Sequence, residues 1–94
     1  MTLNEVSTLL FGRACRLPIA LWVLEHGDGK FYQSEPPTNL GSQTAIRQEL
    51  SRLAKAGLIA EERTSNENRV YYRRINSPLW RIFAEAEKAT NHDQ

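Results

Sequence analysis

The sequence predicts a mainly α-helical fold carrying a small β-hairpin. Three features point to it: an amphipathic helix over residues 42 to 56, a glycine that closes it at Gly57, and two short strands joined by a polar loop directly afterwards. In the helix, Ile46, Leu50, Leu53 and Ala54 recur at spacings of four, three and one, so they form one apolar stripe that must pack against other elements. Thr44, Arg47, Gln48, Ser51 and Lys55 take the opposite face. Ser42 stands where a side-chain oxygen can accept from free N–H groups of the first turn, and Gly57 stands where a left-handed residue ends the last. The runs LIAEER and RVYYRRI that follow are rich in β-branched and aromatic residues, and Ser65 to Asn68 between them is a turn-forming stretch.

The flanking elements follow from the same rules. Over residues 3 to 11, Val6, Leu9 and Leu10 fall at helical spacing, and Gly12 interrupts that helix before a second begins near Ala14. Pro18 is tolerated only in a first turn, where its missing N–H would have no partner, so regular bonding starts close to Arg16. Leu17, Ile19, Leu21, Val23 and Leu24 then supply the central apolar mass. His26-Gly27-Asp28-Gly29 is a turn, and Phe31-Tyr32 adds a short strand beside the hairpin. Pro36-Pro37 allows at most a short helix with both rings in its opening turn and Ser34 as its cap; the alternative is a loop that merely supports the next helix. Asn76-Ser77-Pro78 announces a terminal helix over about 77 to 90, with Ser77 as N-cap and Pro78 at the first helical position. Its stripe is Leu79, Ile82, Phe83 and Ala86, with Trp80 to one side. Such a stripe either folds back onto its own domain or is covered by a second subunit.

Composition agrees. Ninety-four residues, 40% hydrophobic and 24% charged, suit a single globular domain spanning 1 to 94. The longest apolar run, Leu17 to Leu24, is too short to span a bilayer, and no basic segment followed by an apolar stretch opens the chain, so no membrane partner and a cytoplasmic location are expected. The single cysteine cannot form an internal disulfide. Net charge is only +1, yet residues 42 to 74 hold seven basic side chains (Arg47, Arg52, Lys55, Arg63, Arg69, Arg73, Arg74) against four acidic ones, while the segments on either side are each slightly acidic. The surplus either marks a surface for a polyanion or is an ordinary solvated face.

Catalytic and ligand chemistry is largely missing. The glycines are isolated at turns rather than grouped in a phosphate loop, no Ser, His and carboxylate grouping occurs, and Glu61 and Glu62 are neighbours on a strand whose side chains must point to opposite faces. An enzyme is not expected, nor is a catalytic residue or a cofactor. Cys15, His26 and His92 are far apart and form no metal-binding spacing, so no metal site is expected. Cys15, between Arg13 and Arg16, is either a thiol of lowered pKa or a small buried hydrophobe.

The run LSRLAKAGLIAEERTSNENRVYYRRI resembles the helix, hairpin and wing of bacterial winged helix-turn-helix transcription regulators, especially the ArsR-like group. RLPIALWVLEHGDGKF is similar to that group's second helix, and Asn39-Leu40-Gly41-Ser42 to its helix-turn-helix corner. The similarity covers roughly residues 13 to 76, and Pro36-Pro37 departs from it, because the group's first motif helix has leucines and alanines there. The resemblance implies about five helices with a two- or three-stranded wing, and sequence-specific binding of double-stranded DNA by a homodimer that regulates transcription. The helix at 42 to 56 would enter the major groove, with Gln43, Thr44, Arg47 and Gln48 at base edges, Ser51, Arg52 and Lys55 on phosphates, and Ser42 among the DNA-binding residues at its start. The wing, 63 to 70, would reach backbone or minor groove through Asn66, Asn68 and Arg69. The terminal helices would build the dimer through Val6, Leu9, Leu10, Leu79, Ile82, Phe83 and Ala86. No motif indicates a small-molecule effector. The alternative is a winged-helix module that binds another protein without reading DNA, with Trp22 and Trp80 partly exposed as anchors.

Overall fold

The computed structural model describes residues 1–63 and 69–92, with side chains as far as Thr90. Helix α1, Leu3–Phe11, opens on Thr2, whose hydroxyl accepts from the Glu5 N–H while the Glu5 carboxylate accepts from the Thr2 N–H. This reciprocal pair satisfies two donors that a helix start leaves open, and it holds the Glu5 carboxyl below its ordinary pKa. At the far end Gly12 takes φ 83°, a left-handed conformation that suits glycine, and the helix stops.

Helix α2, Arg16–Glu25, starts where Pro18 permits and forms the centre of the molecule, with Leu17, Ile19, Ala20, Leu21 and Val23 all buried. Its junction with α1 is fixed by the buried Ser7 hydroxyl, which donates to the Arg13 carbonyl and accepts from the Leu17 N–H at 2.8 Å. The other end of α2 is capped from a distance. Arg74 Nη1 donates to the carbonyls of Val23, Leu24 and His26 at 2.8, 2.9 and 3.0 Å, placing a cation at the negative end of the helix dipole. Gly29, at φ 80°, passes so close that a Cβ there would stand 3.0 Å from the Arg74 Cβ.

Three strands, β1 (Lys30–Tyr32), β2 (Ile59–Arg63) and β3 (Val70–Arg74), form an antiparallel sheet in the order β1-β3-β2. Phe31 pairs with Tyr72 and Ile59 with Arg74, so strand alternation turns Phe31, Ile59 and Tyr72 inward, where they join Ile19, Val23, Ile46, Leu50 and Leu58 in the core. Glu61 and Glu62 do fall on opposite faces, the first paired with Arg63 at 2.7 Å and the second with Arg73 at 2.9 Å.

Between β1 and the next helix the expectation needs correction. Pro36 and Pro37 precede a single 3₁₀ turn, Thr38–Leu40, instead of lying inside a helix, and Pro37 rather than Ser34 occupies the cap position, with no side-chain bond. A residue before proline is driven out of the α region, which keeps Glu35 and Pro36 from starting a helix, and Pro37 is itself extended at φ −68°, ψ 145°. That turn takes the place of one helix, and four α-helices rather than about five are found among the described residues.

Helix α3, Gln43–Lys55, follows the sequence closely. The Ser42 hydroxyl accepts from the Ala45 N–H at 3.1 Å; at the other end Gly57 N–H donates to Ala54 and Leu58 N–H to Leu53, the paired bonds of a left-handed glycine stop. Ile46, Leu50 and Leu53 are buried.

Helix α4, Trp80–His92, begins two residues later than Pro78, because Pro78 and Leu79 form a turn held by bonds of the i to i+3 kind. The Ser77 hydroxyl accepts from the Leu79 N–H at 3.2 Å. Within the subunit the core side of the helix is that of Trp80, which the stripe had placed to one side. Trp80 is 6% exposed, its indole N–H donates to the Ile75 carbonyl at 2.9 Å, and its ring meets Phe83, which in turn meets Phe11. Leu79 and Ile82 instead stand 43% and 52% exposed, while Phe83 and Ala86 are half-buried. The largest ring, with a carbonyl in reach of its N–H, takes the core position and turns the helix to suit.

Further along α4, burial and then the hydrogen bond and charge of Glu25 push the Glu87 carboxyl above its ordinary pKa. A carboxyl raised in the folded state penalises folding once it ionises, so the penalty is absent below the unfolded pKa and complete above the folded one. Glu87→Gln is therefore expected to raise Tm at neutral pH and to have little effect near pH 3, which thermal melts across that range would check. No single helix among the described residues is long and apolar enough to cross a membrane.

Candidate nucleic-acid interface

On the side of α3 away from the core, Gln43, Thr44, Arg47, Gln48, Ser51, Arg52 and Lys55 are exposed. Five of these, Arg47, Gln48, Ser51, Arg52 and Lys55, line one open groove, and the sixth wall is Arg13 from the α1–α2 junction. Ser42 stands at the start of the same helix, but its hydroxyl is engaged in the cap. A smaller cleft beside it brings Gln33, Ser34 and Thr38 against Gln43 and Arg47, and a third hollow runs from Gln33 and Ser34 to Tyr32 and Arg69. A mostly polar surface thus extends from α3 to the base of the hairpin. Asn66 and Asn68, expected at its tip, lie outside the described residues.

Beneath the groove lies a residue whose part the sequence reading missed. Glu49 is 3% exposed on the inner side of α3, and a carboxylate withdrawn from water needs partners. It has three: Arg16 Nε at 2.8 Å, Arg13 Nη1 at 3.0 Å and Arg52 Nε at 3.9 Å. The hydrogen bond to Glu49 raises the Arg16 pKa. Three guanidiniums around one carboxylate leave the cluster positive, and they tie α3 to the start of α2. A signal was present: Glu49 follows Ile46 by three residues and precedes Leu53 by four, so it sits on the apolar stripe, where a charge implies a buried partner. Which partner it has depends on residues 33 to 36 positions away.

The expected surplus of charge over residues 42 to 74 is distributed differently from its sequence. Arg74 turns inward onto α2, while Arg63 and Arg73 are paired with Glu61 and Glu62. Arg69 lies over the Tyr32 ring at 5.1 Å, and that ring meets Tyr71 edge-on. Arg47 and Lys55 have no ion pair among the described residues. The positive face is therefore the outer side of α3 with Arg13 added, and the sheet contributes mainly Arg69. Such a surface can hold phosphates with Arg52, Lys55 and Arg13 and offer Thr44, Arg47 and Gln48 to base edges.

At the terminal helices Leu9 and Leu10 are largely exposed, as are Leu79 and Ile82, whereas Val6 is half-buried and Phe83 is occupied by Phe11 and Trp80. Cys15 is half-buried beside Gly41. His26 stacks on Trp22 and pairs with Glu35 at 2.8 Å. Among the described residues no three His, Cys, Asp or Glu side chains converge as metal ligands. Comparison with known proteins gives no match to a family model, a curated protein or a solved structure.

Proposed function

We propose that the chain is a winged helix-turn-helix regulator of transcription, of the ArsR-like kind its sequence resembles, which binds double-stranded DNA as a homodimer in the cytoplasm. The observation that carries this is the outer face of α3. Arg47 and Lys55 project there without acidic partners among the described residues, Gln48 and Ser51 lie between them, and the buried Glu49 cluster holds the helix from behind. In this reading α3 lies in the major groove, Arg47 offers its planar fork to O6 and N7 of a guanine, and Arg52 and Lys55 neutralise phosphates. Arg69 reaches backbone or minor groove beside the hairpin.

Arg47→Ala is expected to weaken binding to the preferred site by about 1 to 3 kcal/mol and to relax preference at one base position. Lys55→Ala or Arg69→Ala should weaken binding to all sequences and flatten the salt dependence by about one unit of slope for each lost phosphate contact. Binding of genomic fragments at several salt concentrations measures both. If a folded variant lacking all three side chains binds as tightly as the parent, the DNA-reading role fails and a protein-binding module takes its place.

Dimerisation in this proposal uses the exposed apolar residues Leu9, Leu10, Leu79 and Ile82, because Phe83 is already packed within its own subunit. Ile82→Glu is expected to give a folded monomer, since a charge in an apolar contact has a large desolvation cost. Sedimentation equilibrium of parent and variant tests it; a parent that is monomeric at millimolar concentration refutes the dimer.

A further inference from the structure

We infer that Arg13 is a positioning residue that sets what Gln48 reads, holding its amide oxygen so that the nitrogen donates to guanine in preference to adenine. The inference rests on the DNA-reading role proposed for α3. Arg13 Nη1 lies 2.9 Å from Gln48 Oε1 and 3.0 Å from Glu49 Oε2. A guanidinium has donors only, so the atom that faces it must be the amide oxygen, and chemistry alone decides which way the Gln48 carboxamide is turned. Nε2 is left with both N–H bonds unpartnered among the described residues.

A glutamine recognises adenine through both ends of its amide, the oxygen accepting from N6 and the nitrogen donating to N7. In this chain the oxygen already accepts a bond from a cation, which is stronger than the neutral bond that adenine N6 would offer in its place. What the amide offers is Nε2, whose N–H bonds find two acceptors on guanine, N7 and O6, but one on adenine, N7, beside the competing N6 donor.

Arg13 is not free to follow a different base. Its backbone carbonyl accepts from Ser7, a fully buried side chain, and the nitrogen that holds Gln48 also holds the buried Glu49 carboxylate. Swinging the guanidinium away would withdraw one of the two close arginine partners from Glu49. Gln48 is thus oriented before any DNA arrives, by a residue that the sequence places 35 positions away.

Selection of preferred duplexes from a randomised pool by the full chain tests this. The parent should favour guanine over adenine by about fivefold or more at one position, the lower end of what a good base contact supplies. Gln48→Ala should flatten that position. Arg13→Ala, with its fold checked by circular dichroism, should move the same position toward adenine and leave preferences elsewhere in place. An adenine preference there in the parent, or an unchanged preference in Arg13→Ala, overturns the inference. Should Arg13→Ala unfold, Gln48→Glu serves instead. A carboxylate held by Arg13 has no donor, so the guanine preference should vanish in favour of cytosine, and its persistence counts against the inference. A parent that selects sequences unaffected by Gln48→Ala keeps the DNA-reading role and refutes only the part assigned to Gln48 and Arg13. A parent that selects no sequence refutes both.

Discussion

Trp80→Ala is expected to lower the free energy of unfolding by about 3 to 5 kcal/mol, the usual loss for deleting a buried aromatic ring. The ring closes a stack running through Phe83 to Phe11, and its indole N–H occupies the Ile75 carbonyl. Without it, α4 has lost its main hold on the core, and backbone hydrogen exchange over residues 80 to 92 should accelerate far more than exchange in α2. Arg81→Ala, one residue later but exposed and outside the apolar patch, should change stability by less than about 1 kcal/mol. Urea denaturation of the two variants checks the burial of Trp80, which equal losses would contradict.

Glu49→Ala should be nearly as damaging, at about 3 kcal/mol. Breaking a buried ion pair typically costs about 3 to 5 kcal/mol, and the lower end applies because Arg13 and Arg16 retain 35% and 24% of their side-chain exposure and can recover water. For a domain of this size that corresponds to a fall in Tm of more than about 10 °C. Glu49→Gln keeps an acceptor for both arginines and should lose about half as much, since a neutral acceptor makes a weaker bond to a guanidinium than a carboxylate does. Thermal melts measure the series. A loss below about 1 kcal/mol for the alanine variant would mean that the arginines are satisfied by solvent and that α3 is held by its apolar stripe alone.

Where local chemistry decides the outcome, the sequence was legible. Ser42 and Gly57 bracket α3, Gly12 ends α1, Pro18 dates the start of α2, and Phe31-Tyr32 pairs beside the hairpin, each through a rule that needs only a few neighbouring residues. The capping box of Thr2 and Glu5 obeys such a rule as well and could have been read. The errors lie where distant residues compete. Leu79, Ile82, Phe83 and Ala86 make a regular stripe, yet within the subunit the core position goes to Trp80, which the stripe had put to one side and whose N–H finds the Ile75 carbonyl. Pro36-Pro37 has too little helix after it to form more than a 3₁₀ turn. The candidate interface was half visible. Periodicity exposes Arg47, Gln48 and Lys55, but nothing local brings Arg13 into their groove or takes Arg74 out of the charged surface.

The grip of Arg74 on the end of α2 bears on how the chain folds. Its three bonds join positions 48 to 51 residues apart, so the last turn of α2 cannot be finished while the chain behind it is still unstructured. An isolated segment ending at Tyr32 would contain all of α2 and yet fray at Val23 to His26, with its carbonyls open to water. The hairpin, formed late in the sequence, completes a helix written early. Helix and sheet therefore become stable together, and the non-local closure that unites them is the step expected to set the pace of folding.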